Sequence, residues 1–307
     1  MSNRGRWSRR VVLSFAWYCC VATAPASAQF TTVLNIPPDP DIGHFQSIGA
    51  GTQLNVFDDG FVGTFFGAGA TDGTSTNVEV NIYGGVVGAN FLAHSGSMVN
   101  ISGGSVVGFW QAIDDVVVNI SSGTLSSLEA IDDSVVNISG GRLSNGLGLL
   151  GSVANISGGE VGTIGSLRGG VSVGDLYGDF GDSSVTISGG KLGGSFSVYN
   201  GCEANLLGIQ FILDGSDITS TLTPNVPLTI TARERTLSGL LADGSPFSFD
   251  LNGGYTLGAD YFDPGATLTV MLVSENVPEP GGAMAGVLAG LILSAGSTRR
   301  RAALNGT

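Results

Sequence analysis

The sequence predicts an all-β fold, a parallel β-helix (a β-solenoid of about 18–19 residues per coil) with a C-terminal β cap. Three observations predict it. A short phrase recurs: VNIYGG from Val80, VNISGG from Val99, VNISSG from Val118, VNISGG from Val136, ANISGG from Ala154 and VTISGG from Val185. The residue at its centre is Asn81, Asn100, Asn119, Asn137, Asn155, Thr186 and then Asn205, in steps of 19, 19, 18, 18, 31 and 19. Finally, the chain holds 50 glycines among its 307 residues, which suits many tight corners.

Each part of the phrase has a physical task. Side chains alternate along a strand, so Val118 and Ile120 share one side and Asn119 takes the other. The apolar, mostly β-branched pair faces a core. The Gly-Gly or Ser-Gly pair turns the chain. A further apolar position follows, as at Val87, Val106, Leu125, Leu143, Val161 and Leu192. One coil is therefore a strand, a corner, a shorter strand and a return. A single coil buries four to five apolar side chains, each worth at most about 1.5–3 kcal/mol, and only a stack offsets the ordering entropy.

Around this repeat the chain divides in order. Residues 1–28 read as a signal peptide. Arg4, Arg6, Arg9 and Arg10 precede an apolar run, and Ala26-Ser27-Ala28 has the small-x-small form that signal peptidase cleaves. Residues 29–52 form an irregular lead-in containing Pro37, Pro38 and Pro40, and 53–208 hold the coils. The 31-residue step is either a degenerate coil or a loop within 169–184. Residues 209–276 alternate apolar and polar, including Ala266 to Leu272, and read as antiparallel strands capping the open end of the stack. Residues 277–307 form a tail.

The tail has three parts in sequence. Pro278-Glu279-Pro280 comes first, then the charge-free run 281–298, then Arg299, Arg300 and Arg301. As a helix the run spans about 27 Å, enough for a bilayer core, and the arginines stay on the cytoplasmic side. This order resembles the PEP-CTERM sorting signal of Gram-negative bacteria. The resemblance implies recognition and removal by a membrane exosortase, with delivery of the body to the cell surface or extracellular matrix, often beside exopolysaccharide. It implies membrane attachment only through the tail, before processing. It covers about 30 residues and says nothing about what the body does.

Removing both ends leaves five basic residues against 24 acidic ones in Gln29–Asn276, a net charge of −19. Such a surface repels nucleic acid and anionic polysaccharide and favours solubility or divalent cations. Only Cys202 remains as a cysteine there, so no internal disulfide forms.

Four features are candidates for chemistry. Asp114-Asp115 and Asp132-Asp133 lie 18 apart, at the same place on neighbouring coils. They read as an exposed, duplicated corner, as a Ca²⁺ site, or as the two acids of a glycosidase. Asp175, Asp179 and Asp182 in a Gly-rich stretch are a second possible Ca²⁺ loop. The outward Asn-x-Ser row reads as a self-bonded ladder or as a carbohydrate-docking surface. Trp110 reads as packing or as a sugar platform. The sequence carries no nucleophile triad, phosphate loop, dinucleotide fingerprint or Cys/His cluster, so no cofactor besides Ca²⁺ is implied. The expectation is a secreted structural or adhesive solenoid without catalytic activity. The alternative is a carbohydrate-binding or carbohydrate-active one.

Overall fold

The computed structural model describes residues 30–162, 170–174 and 182–274. They form a parallel β-helix, and each coil has three faces. The coil from Val116 shows the plan. Val117–Ile120 lies on the first face, Thr124 and Leu125 on the second, and Ser127 to Ile131 on the third. The return expected from the sequence is thus a strand of its own.

Ten strands stack on the first face, from Thr32–Ile36 through Val117–Ile120 to Thr267–Leu272. All are parallel and in register, so Asn119 sits over Asn100 and under Asn137. The core is a set of columns. Val116, Val118, Ile120, Leu125, Leu128 and Ala130 of one coil are all buried, which exceeds the four to five expected. Phe66, Phe91 and Trp110 form a buried ring stack inside the third face, with centroids 5.5 and 5.3 Å apart.

The glycine pair at the first corner does two separate things. At Gly104 the backbone is left-handed, with φ +67°, where a Cβ is strained. At Gly103 a Cβ would lie 2.0 Å from the Tyr83 carbonyl oxygen of the coil before. The second glycine is required by the turn and the first by the neighbouring coil's approach. Ser122 occupies the first position in its own coil, so that requirement is the softer of the two.

Three sequence expectations change. The stack begins earlier than the phrase suggests. Thr32–Ile36, inside the expected lead-in, pairs in register with Thr52–Val56, and Asn35 starts the asparagine column. The 31-residue step is neither a degenerate coil nor one loop. Val153–Val161 pairs directly with Ser184–Leu192, while Gly170–Val173 lies on the third face between Gly146–Leu149 and Ser195–Val198. The extra residues therefore enter one coil at two corners. Lastly, Thr267–Leu272 is not antiparallel to the stack. It is a further first-face rung, parallel to Glu203–Gly208. A strand's alternation reports which side is buried and carries no information about direction.

Both ends are closed by polar groups. At the start, Asp39 folds back onto the first rung. Its carboxylate accepts from the Asn35 N–H at 2.7 Å, and its own N–H donates to the Asn35 carbonyl. Prolines 37 and 38 make that fold-back. At the far end, Gly208–Leu213 pairs antiparallel with Leu237–Leu241, which pairs with Pro246–Asp250. Phe196, Phe211, Phe247, Phe249 and Phe262 pack this hairpin onto the last coils. The Arg233 guanidinium donates to five carbonyls, those of Ile230, Ala232, Phe262, Asp263 and Ala266, at 3.0–3.3 Å. It satisfies backbone acceptors that no further coil reaches.

Replacing Asn119 by Ala removes two side-chain amide bonds from the first-face ladder and leaves both partners half-buried and short of one bond. Urea unfolding of Asn119→Ala is expected to show a loss of about 1–3 kcal/mol. The same change at exposed Asn145, whose backbone is not left-handed, is expected to cost less than about 0.5 kcal/mol.

Candidate functional site

The outward side of the first face is a chain of amides. Asn55 donates its Nδ2 to Asn35 Oδ1, Asn81 to Asn55, Asn100 to Asn81, Asn119 to Asn100, Asn137 to Asn119 and Asn155 to Asn137, all at 2.8–2.9 Å. Parallel register sets each amide one strand spacing from the next, and an amide has a donor and an acceptor to use in both directions. Every amide points the same way, with its N–H₂ toward the start of the chain. The ladder continues beyond Thr186, where Thr269 Oγ1 bonds Asn205 Oδ1. The row thus spends its strongest polar groups on itself.

The aspartate pairs are corner residues. Asp114, Asp115, Asp132 and Asp133 all have left-handed backbones, with φ between 48° and 62°. The equivalents of Asp115 and Asp133 on other coils are Gly51, Asn77, Gly96, Gly151 and Gly201, all with positive φ. Glycine, asparagine and aspartate are the residues that tolerate this region best. Their backbones stack: the Asp115 N–H donates to the Asp132 carbonyl, and the Asp133 N–H to the Gly151 carbonyl. Among the described residues, no three His, Cys, Asp or Glu side chains come together as a metal-holding group. Asp182 is exposed at the corresponding corner, and Asp175 and Asp179 lie outside the described residues. Cleavage residues Ala26 and Ala28, and sorting residues Pro278, Glu279, Pro280 and Arg299 to Arg301, also lie outside them, as does the span 281–298. Among the described residues, no helix is long and apolar enough to cross a membrane.

Trp110 is fully buried, so it packs rather than offering a sugar platform. Its indole Nε1 has no hydrogen-bond partner. Cys202 is buried in a column of small corner residues that includes Ser97, Ser134, Ser152 and Ser183. These serines bond the carbonyls that end the third-face strand; Ser134 Oγ, for example, donates to the Ile131 carbonyl at 2.8 Å. Sequence reasoning missed this column, although a serine three residues before the central Asn or Thr was visible in four copies.

Few ionisable groups are perturbed. Burial holds the His94 imidazole below its usual pKa, and the charge of Asp114 opposes this. Burial raises the Asp260 carboxyl, against the N–H groups of Phe196 and Asp250 that it accepts from. Burial and donation to the Asp263 carboxylate push the Tyr261 hydroxyl up to about 12. Asp260 and Tyr261 are adjacent in the cap and His94 lies on an early coil, so the three do not come together as one cluster.

The third face carries a shallow trough of about 280 Å³, lined among others by Phe109, Ser127, Glu129, Asn145, Gly146 and Ser172. Gln111 donates to Glu129 at 2.7 Å at its edge. No family model, curated protein or solved structure matches the chain.

Asp115→Gly with Asp133→Gly relieves the left-handed strain at two corners. Melting temperature is expected to hold or rise by a few degrees, with the same value in Ca²⁺ and in chelator. A Ca²⁺-dependent rise in the parent chain that this variant loses would make the corners a cation site.

Proposed function

We propose that the chain is an exported, surface-sorted structural or adhesive β-solenoid without catalytic activity. The observation that carries the reading is the asparagine ladder. The row of side chains best suited to bind a ligand is bonded to itself for six successive steps, which is a scaffold's use of polar groups. The order Pro-Glu-Pro, apolar run, arginine cluster supplies the address, with signal peptidase and an exosortase as partners during export. Strong acidity keeps the exported body soluble and away from nucleic acid.

A second reading, carbohydrate binding, is favoured by the trough beside Phe109, whose serines, amide and ring suit a neutral glycan better than an acidic one. The acids at Asp114, Asp115, Asp132 and Asp133 are no part of its lining.

Tagging the body within an exposed cap turn and the chain end after Arg301 separates the possibilities. The body tag is expected at the cell surface or in the medium, with the end tag absent from it. Replacing Pro278, Glu279 and Pro280 by Ala is expected to leave both tags together in the inner membrane. Both tags in the cytoplasm of cells making the unaltered chain would overturn the sorting proposal. Retention by a neutral glycan, lost on Phe109→Ala, would favour the second reading.

A further inference from the structure

The second face is uneven along its length. Its outward row runs Phe61, Val86, Ser105, Thr124, Arg142, Glu160 and Lys191 on seven successive rungs. The first two positions are exposed and apolar. They are flanked by the exposed stacked pairs Phe57–Tyr83, at 5.3 Å, and Phe45–Phe65, at 4.9 Å. Among the described residues, ten large apolar side chains are exposed between Val33 and Phe109, and none between Trp110 and Gly208. Of these, Phe61 and Val86 lie on the second face, with Phe57, Tyr83, Phe45 and Phe65 at its two corners, and a cluster of this kind marks an interaction surface.

Charge divides the same way. Residues 30–141 hold 11 acidic side chains and no lysine or arginine. Asp41 lies against this cluster, its carboxylate accepting from the Phe61 N–H, and Asp58 and Asp59 occupy the corner beside Phe57. Outside the cap, the described lysines and arginines are Arg142 and Lys191, and both are on the outward row of this one face. They flank Glu160 at 3.8 and 3.9 Å, so the trio keeps a net positive charge and stays half-exposed.

We propose that the second face is a self-complementary interface through which two copies pack side by side and antiparallel. It carries both halves of its own complement, an acidic aromatic half and a cationic half. A two-fold axis at Thr124, the middle rung of seven, sets Phe61 opposite Lys191 and Ser105 opposite Arg142 of the second copy. The uncharged, short Thr124 meets its own equivalent. The Lys191 ammonium then meets the Phe61 ring with the Asp41 carboxylate beside it, Arg142 meets the Ser105 hydroxyl, and Val86 meets the stem of Glu160. A like-on-like arrangement would instead set cation against cation. The inference concerns self-association and stands apart from where the protein is sorted.

The test uses protein purified from the producing cell, in a background of Cys19→Ser, Cys20→Ser and Cys202→Ser. Light scattering after size exclusion is expected to give a dimer that dissociates as salt rises. Arg142→Glu with Lys191→Glu is expected to weaken it at least about ten-fold. Phe61→Ser, compared at a temperature where both proteins are folded as judged by their melting curves, is expected to do the same. Rungs 61 and 191 are about 29 Å apart within one chain, six strand spacings, beyond a short bismaleimide. Phe61→Cys with Lys191→Cys is therefore expected to cross-link only between chains, and neither single cysteine variant to cross-link. A monomer at every concentration and salt, or cross-linking by Phe61→Cys alone, would overturn the proposal.

Discussion

Parallel, in-register pairing at a spacing of about 4.8 Å is the constraint from which the rest of this molecule follows. It places each residue over its equivalent and repeats that contact coil after coil. Only side chains that accept their own kind as neighbours fit such a column. Valine and isoleucine do so in the core. Asparagine does so outside, because one amide donates while the next accepts. Charges do so only by alternation, as in Arg142, Glu160 and Lys191, or at a corner open to water, as in the aspartate pairs. The repeated phrase is the list of residues that survive this filter.

A stack of identical rungs has no natural end, so its ends need different chemistry. The start uses one carboxylate and a proline fold-back at Asp39. The finish uses an antiparallel excursion, an aromatic cluster and the single guanidinium of Arg233. Arginine suits that position because it carries five donors in a fixed fork and no acceptor. In a chain with so few basic residues, Arg233 is a structural cation.

The wall and the first corner were legible in the sequence because period two and the glycine pair leave a direct trace. Val118, Asn119, Ile120 and Gly123 could be placed from spacing alone. The third face was harder to read. Its residues vary from Ser127-Leu128-Glu129 to Gly146-Leu147-Gly148, and even the inward position changes from Phe91 and Trp110 to Leu128, Leu147, Val171 and Phe196, so packing holds only its apolar character constant. The direction of Thr267–Leu272 depends on a rung 64 residues away, which no local pattern reports. The aspartate pairs looked like ligands because sequence shows residue type and spacing; the left-handed φ that explains them appears only in the structure. The division of the second face into aromatic and cationic halves was present in the sequence but scattered across seven coils. Only the stacking gathers it.

The central claim, that amides bonded to amides run along seven successive rungs of the first face from Asn35 to Asn155, is tested most directly by hydrogen exchange of the asparagine side chains, followed by NMR. The Nδ2 protons of Asn55, Asn81, Asn100, Asn119, Asn137 and Asn155 are expected to exchange far more slowly than that of exposed Asn225, with the central rungs slowest. Exchange of these six at the rate of Asn225 would contradict the ladder, and with it the in-register stack.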